Sequence, residues 1–97
     1  MYGTIARNRV KSGKGPELEK MAQGWSASPP GGAKAVYVYK SDSNPDEYWV
    51  AAIFESKDAY MSNANTPQQD ANFRQMRELL EADPEWHDGE IVHSFQS

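Results

Sequence analysis

Two polar side chains in strand-like segments could take part in acid–base or oxyanion chemistry. Asn8 falls on the same face of a predicted strand as Thr4, so we expect its side chain to be buried. A buried amide must be hydrogen-bonded, so Asn8 would either bridge to a helix end or donate to a substrate oxygen. His93 shares a strand face with Ile91 and Phe95, which predicts either a hydrogen-bonded core imidazole or a proton acceptor near neutral pH.

The residue types argue against cysteine-based, metal-binding and phosphate-binding sites. The sequence has no cysteine, which excludes disulfides, thiolate metal sites and a cysteine nucleophile. The two histidines are His87, in a predicted loop over 85–88, and His93, and their spacing from nearby acids fits no compact metal site. Gly13 and Gly15 lie between a strand and a helix without the rest of a phosphate-binding fingerprint, so we interpret them as a turn.

The composition predicts one soluble domain spanning residues 1–97, of which 38% are apolar and 25% charged. Ten Lys and Arg against fourteen Asp and Glu give a net charge of −4, whereas a nucleic-acid binder needs a concentrated basic surface. No apolar run approaches the roughly 20 residues of a membrane span, and strand-like sequence follows Met1 directly. We therefore expect a cytoplasmic protein with no nucleic-acid or membrane partner.

The first half of the chain predicts a strand, a helix and a hairpin. A strand spans residues 2–10, and Pro16 opens a helix with apolar residues at i, i+3, i+4 and i+7. The Ser-Pro-Pro-Gly-Gly segment at 28–32 ends that helix. Two strands, Ala33–Lys40 and Glu47–Glu55, are joined by turn-forming residues and should pair as a hairpin.

The second half predicts two helices and a final strand. Ser56 is suited to cap a short helix, and Thr66 to cap a longer one that ends near 83–84. A last strand is predicted over Glu90–Gln96. The order β-α-β-β-α-α-β predicts an α+β, ferredoxin-like fold: a four-stranded antiparallel sheet with the helices on one face.

The third predicted strand is apolar on both of its faces. One face carries Tyr48, Val50, Ala52 and Phe54, and the other carries Trp49, Ala51 and Ile53. A strand with one solvent-exposed face should alternate apolar and polar residues, so this pattern indicates that both faces are buried. We expect a second copy of the sheet to cover the open face in a homodimer; the alternative is that the aromatic side chains tolerate partial exposure.

These segments resemble the antibiotic-biosynthesis-monooxygenase type of dimeric α+β barrel. The resemblance rests on the order of elements, on Asn8-Arg9 near the end of the first strand, and on the segment 49–60. There an aromatic-Glu-Ser step ends the third strand, and an acidic-Ala-aromatic step begins the next helix. The superfamily includes cofactor-independent monooxygenases of phenols and quinols, haem-degrading enzymes, and members of unknown activity.

The resemblance implies a homodimer that binds a small aromatic phenol or quinol between the sheet and the helices. Asn8 would be the oxyanion donor and His93 a possible base. The side chains expected to line the pocket are Tyr60, Asn63, Phe73 and Met76. Phe73 falls where the haem-degrading branch carries its iron-ligating histidine, so we expect no haem, metal or other cofactor.

Three functions stay open on these observations. The first is a cofactor-independent monooxygenase in which the substrate anion itself reduces dioxygen. The second is a non-catalytic ligand-binding or stress-associated module that keeps the fold. The third is an isomerase or lyase on the same scaffold, which would also use His93 as its base.

Overall fold

The computed structural model describes residues 1–27 and 29–97, and Ser28 of the predicted helix-ending segment lies outside them. The regular elements of the described residues are β1 (Tyr2–Arg9), α1 (Gly15–Ala27), β2 (Ala33–Lys40), β3 (Glu47–Phe54), α2 (Lys57–Ala64), α3 (Pro67–Arg77) and β4 (Glu85–Glu90). None of the helices in these two ranges is long and apolar enough to cross a membrane.

The four strands form one antiparallel sheet in the order β2-β3-β1-β4. In the centre of β1, Ala6 pairs with Val50 of β3 on one side and with Trp86 of β4 on the other. The predicted α+β, ferredoxin-like arrangement is therefore confirmed.

The predicted caps of α2 and α3 are also present. Ser56 Oγ accepts a hydrogen bond from the Ala59 amide at 3.1 Å, and Thr66 Oγ1 accepts one from the Gln69 amide at 3.1 Å. Pro67 occupies the first turn of α3, where its missing N–H costs no helical hydrogen bond.

The prediction of a last strand over Glu90–Gln96 is wrong, because β4 spans Glu85–Glu90 and includes the segment predicted as a loop. The antiparallel ladder runs from Arg7–Glu85 to Tyr2–Glu90. It therefore reaches the first residue of β1 just as the alternating apolar residues 91–95 begin. The Ile91 amide still donates to the Met1 carbonyl oxygen at 2.9 Å, but residues 91–95 belong to no strand.

The burial predicted for His93 fails for the same reason. His93 and Phe95 lie in the irregular segment 91–97 and are exposed, with Phe95 at 85%. Their shared face exists only if the segment is a strand, so they form no core pair.

The densest part of the core fills one end of the space between sheet and helices. Its buried members are Val10, Leu18, Tyr48, Met76, Leu79 and Leu80. The Tyr48 hydroxyl donates to Glu19 Oε2 at 2.6 Å, which satisfies its only donor. Burial, followed by that hydrogen bond and the charge of Glu19, raises the pKa of Tyr48 to about 12.

Two glycines at the start of α1, Gly13 just before it and Gly15 at its first position, are required for different reasons. Gly13 has φ +80°, a left-handed conformation that side-chain-bearing residues rarely adopt. Gly15 packs against Tyr48, and a Cβ there would come within 2.6 Å of the phenol oxygen. The interpretation of this segment as a turn agrees with both observations.

The face of the sheet opposite the helices carries large exposed apolar side chains. Ile5, Tyr37 and Tyr39 are 52%, 50% and 58% exposed, and the half-buried Trp49 and Ile53 lie among them. We call this surface the helix-free face, and its apolar character is what the two-sided pattern of the third strand predicts.

An ion-pair network crosses the helix-free face. The Arg7 guanidinium donates through Nε to Glu47 Oε2 at 2.8 Å and through Nη1 to Glu85 Oε2 at 2.9 Å. The other oxygen of Glu47 accepts from Trp49 Nε1 at 3.2 Å. The hydrogen bond from Arg7, followed by that from Trp49, holds the pKa of Glu47 below its ordinary value of 4.5.

We predict that Glu47→Gln lowers the melting temperature at neutral pH and reduces its dependence on acid. Because the folded-state pKa of Glu47 is depressed, its contribution is complete above pH 4.5 and is lost as pH falls through the folded value. Thermal unfolding at about pH 7 and about pH 3 measures both effects. Glu17→Gln, which alters an exposed pair with Lys14, is the control. Equal melting temperatures for Glu47→Gln and wild type at both pH values would contradict the prediction.

Candidate functional site

A cavity of about 510 Å³ lies between the sheet and the helices, beside the densely packed end of the core. Its floor is made of the short side chains Thr4, Ala6, Val36, Val50 and Ala52. These residues lie next to one another in the sheet, because Ala6 pairs with Val50 and Ala52 pairs with both Thr4 and Val36. Short side chains at adjacent positions leave space above the sheet, and the volume is within the range of small-molecule sites.

The walls of the cavity are largely aromatic. Phe54 and Tyr60 meet edge to face with their ring centroids 5.5 Å apart, and Phe73 and Trp86 lie 6.4 Å apart. Trp25 of α1 lines the same space. Such walls suit a flat aromatic ligand, which gains both apolar burial and ring–ring contact.

The structure brings five of the six predicted site residues together. The residues that line the cavity are Asn8, Tyr60, Asn63, Phe73 and Met76. His93 is separated from them, because it borders a second depression on the helix-free face together with Ile5, Tyr37 and Ile53. A base acting in the cavity would have to be another residue.

The buried amide of Asn8 has one unpartnered atom. Asn8 is 1% exposed, and its Nδ2 donates to the Ala6 carbonyl oxygen at 3.2 Å. Its Oδ1 has no hydrogen-bond partner. The amide therefore presents an acceptor as its unsatisfied group, whereas the resemblance implied a donor to an oxyanion.

Thr4 is a second buried polar residue that the sequence analysis did not select as a site residue. It is 5% exposed, and its Oγ1 has no partner of hydrogen-bond geometry. Thr4 and Asn8 lie on one face of β1, roughly 13 Å apart at about 3.3 Å per residue, with Ala6 between them. The sequence did contain a signal for selecting Thr4, because it shares a strand face with Asn8.

Tyr60 and Asp88 are hydrogen-bonded at the β4 side of the cavity. The Tyr60 hydroxyl donates to Asp88 Oδ1 at 3.1 Å. Burial raises the pKa of Tyr60, the hydrogen bond and the charge of Asp88 act in the same direction, and the nearby Thr4 hydroxyl opposes them. Asp88 and Trp86 were missed because the segment 85–88 was predicted as a loop, although in β4 they lie opposite Thr4 and Ala6.

The charged residues of the lining are both acidic. They are Asp70 of α3 and Asp88 of β4, and the described lining contains no lysine, arginine or histidine. Phe73, at the position where the resemblance has an iron-ligating histidine, offers a ring without a ligating atom. The residues present therefore do not fit the histidine-ligated haem of that branch.

Comparison with known proteins shows the fold. No family model matches the sequence, and no curated protein matches it. Among solved structures, a "putative antibiotic biosynthesis monooxygenase" from Chloroflexus aurantiacus is 22% identical with a TM-score of 0.82. That match covers 98% of this chain and 96% of the other.

Two further structures have the same architecture. A protein of the same name from Caulobacter crescentus is 21% identical over 95% of this chain and 90% of its own, with a TM-score of 0.82. A protein of unknown function from Nitrosomonas europaea is 17% identical over 99% and 93%, with a TM-score of 0.80. The chain therefore has the fold that the resemblance implied.

We predict that Ala52→Leu fills part of the cavity without unfolding the protein. The added isopropyl group would occupy empty space, so the melting temperature should stay the same or rise. Binding of a fluorescent apolar probe should fall at least several-fold. Ala71→Leu, on the exposed side of α3, makes the same chemical change outside the cavity and is the control. A melting temperature lowered by several degrees in Ala52→Leu alone would show that the space is already filled in solution.

Proposed function

We propose that this protein is a cofactor-independent monooxygenase of a small aromatic phenol or quinol, and that the cavity is its active site. The observation that carries the proposal is the cavity itself: its walls are largely aromatic, and two of its lining residues, Thr4 and Asn8, each have a buried polar atom without a partner. Unsatisfied buried polar groups are rare in folded proteins and are typical of places where a ligand completes the hydrogen bonding. The names of the similar structures support the same reaction class.

The proposed reaction needs no electron source beyond the substrate. A phenol that becomes a quinone loses four electrons, and dioxygen accepts them. One oxygen atom enters the ring as the new carbonyl, and the other leaves as water with the two hydrogens that the phenol gives up. The protein then has three tasks: to hold the ring, to exclude water, and to orient the reacting hydroxyl.

The lining residues divide these tasks. Phe73 and Tyr60 would contact the faces and edges of the ring, and Met76 would close the end of the cavity nearest the packed core. Asn8 would fix the substrate by accepting a hydrogen bond from its hydroxyl. Asn63, whose Nδ2 donates to Gln69 Oε1 at 3.4 Å, would contact substituents at the helix side.

We predict oxygen uptake with a panel of hydroquinones and anthrone-like phenols, and a loss of at least about tenfold in kcat/KM for Asn8→Ala. Loss of one orienting hydrogen bond is worth about that factor. Gln75→Ala removes an exposed amide of α3 outside the cavity and is the matched control. Melting curves establish that both variants are folded. Oxygen uptake that is unchanged in folded Asn8→Ala would contradict the role of Asn8.

A second candidate function is favoured by the absence of histidine from the described lining. A binding module that keeps the cavity without chemistry would bind the same aromatic compounds saturably but consume no oxygen. The same titrations and uptake measurements separate the two functions. Saturable binding without uptake across the whole panel would favour the module over the monooxygenase.

We also propose that the protein acts as a homodimer through its helix-free face. The surface of the single chain is 6674 Å². A compact monomer of 10.9 kDa is expected to expose roughly 5,600 Å², so roughly 1,100 Å² is in excess. One partner of a standard interface buries about 800 Å². The exposed Val92 and Phe95 of the segment 91–97 add further apolar surface for a second copy to cover.

Light scattering at micromolar concentration should therefore give about twice the 10.9 kDa of one chain. Ile5→Asp should weaken the dimer by more than about 100-fold, because it would bury an unpaired charge in the interface. Since Ile5 is 52% exposed in the single chain, the variant monomer should still fold. Met61→Asp changes an exposed apolar residue of α2 and should leave the dimer intact. A wild-type monomer at this concentration would contradict the dimer.

A further inference from the structure

From the polar groups of the cavity we infer that it selects neutral aromatic ligands that donate hydrogen bonds, such as hydroxy- or amino-substituted rings, and rejects aromatic carboxylates. The side-chain oxygens of Asn8 and Thr4 would accept hydrogen bonds from the ligand, and the negative charge of Asp88 would repel anionic ligands. The inference rests on the proposed function only in taking the cavity as the ligand site. It adds the charge and the hydrogen-bonding class of the ligand.

The first step concerns the unpartnered polar atoms. Asn8 Oδ1 is an amide oxygen and can only accept a hydrogen bond. The amide is held in this orientation by the hydrogen bond from Nδ2 to the Ala6 carbonyl. The second unpartnered atom, Thr4 Oγ1, is a hydroxyl oxygen and can also accept. Because Thr4 and Asn8 lie roughly 13 Å apart along β1, one O–H or N–H of a ligand can satisfy one of these atoms, whereas an ether or a hydrocarbon of the same shape leaves both unpaired.

The second step concerns the two carboxylates of the lining. Asp70 is paired with Arg74, whose Nε lies 3.0 Å from Asp70 Oδ2, and both side chains are largely exposed. Asp88 is exposed as well, but it forms no salt bridge among the described residues, and the hydrogen bond that it accepts comes from the neutral phenol of Tyr60. Asp88 is therefore the negative charge of the lining that no cation offsets.

The third step is the consequence for a charged ligand. A carboxylate placed among these aromatic walls would meet the charge of Asp88, and no lysine, arginine or histidine of the described lining would compensate it. A neutral phenol meets no such repulsion.

A naphthalene series with one changed substituent tests this selectivity. The probes are 2-naphthol and 2-naphthylamine, which donate and are neutral at about pH 7, 2-methoxynaphthalene, which does not donate, and 2-naphthoate, which is anionic. Fluorescence titration of the wild-type protein should give dissociation constants for the two donors at least about tenfold below that of naphthoate. The methoxy compound should bind several-fold more weakly than naphthol.

Two variants assign the selectivity to residues. Asp88→Asn should reduce the preference for naphthol over naphthoate by about tenfold. Asp42→Asn makes the same charge change in an exposed turn and should leave the preference unchanged. Thr4→Val keeps the shape of the side chain and should reduce the preference for naphthol over the methoxy compound.

The outcomes separate this inference from the proposed function. Equal affinity for naphthol and naphthoate in the wild type, or an unchanged preference in folded Asp88→Asn, would overturn the inference while leaving the cavity as a ligand site. Failure of all four probes to bind would contradict the cavity as a ligand site, and with it both proposals. Tighter binding of naphthoate than of naphthol would overturn the inference directly.

Discussion

The register of β1 between β3 and β4 determines both surfaces on which the functional proposals depend. With Ala6 paired to Val50 and Trp86, the alternate residues Thr4 and Asn8 face the helices, and Ile5 faces the other way. A shift of one residue would exchange these two sets, because side chains alternate along a strand. The buried polar floor of the cavity and the apolar helix-free face are thus two consequences of a single pairing.

Packing divides the helix side of the sheet into a filled end and a hollow end. Near Val10 and Tyr48, large side chains of α1 and α3 fill the space, and the buried phenol is satisfied by Glu19. Near Thr4 and Ala52, short side chains face the aromatic rings of α2 and α3 across open space. The filled end supplies most of the apolar burial. The hollow end forgoes such contacts, which is the usual arrangement where a fold keeps room for a ligand.

Local periodicity was enough to predict most of the fold, whereas the residues expected to line the pocket came from the family resemblance. The alternation in β1 placed Asn8 on the helix side, and the caps at Ser56 and Thr66 fixed the starts of the helices that carry Tyr60 and Phe73. These features depend on residues that are close in sequence, so the sequence contains their full signal.

The errors about the last strand and His93 come from pairing between distant segments. The sequence Glu-Trp-His-Asp-Gly-Glu of β4 is mostly polar, and all six residues are exposed, as in an edge strand. It is a strand only because β1 offers a ladder there. The apolar alternation after it predicted the start of the strand five residues too late and placed His93 in a core. The direction of the Asn8 amide, by contrast, is set by a local contact with the carbonyl of Ala6 that no sequence pattern encodes.

The central claim is that a ligand binds on the helix side of β1, against its buried polar residues. Intermolecular nuclear Overhauser effects between bound 2-naphthol and the methyl groups of the protein test it most directly, since alternate residues of one strand report on opposite faces. The account predicts contacts from the ring protons to the methyl groups of Thr4, Ala6 and Ala52. Contacts to Ile5 and Ile53, with none to these three methyl groups, would place the ligand on the helix-free face and contradict the account.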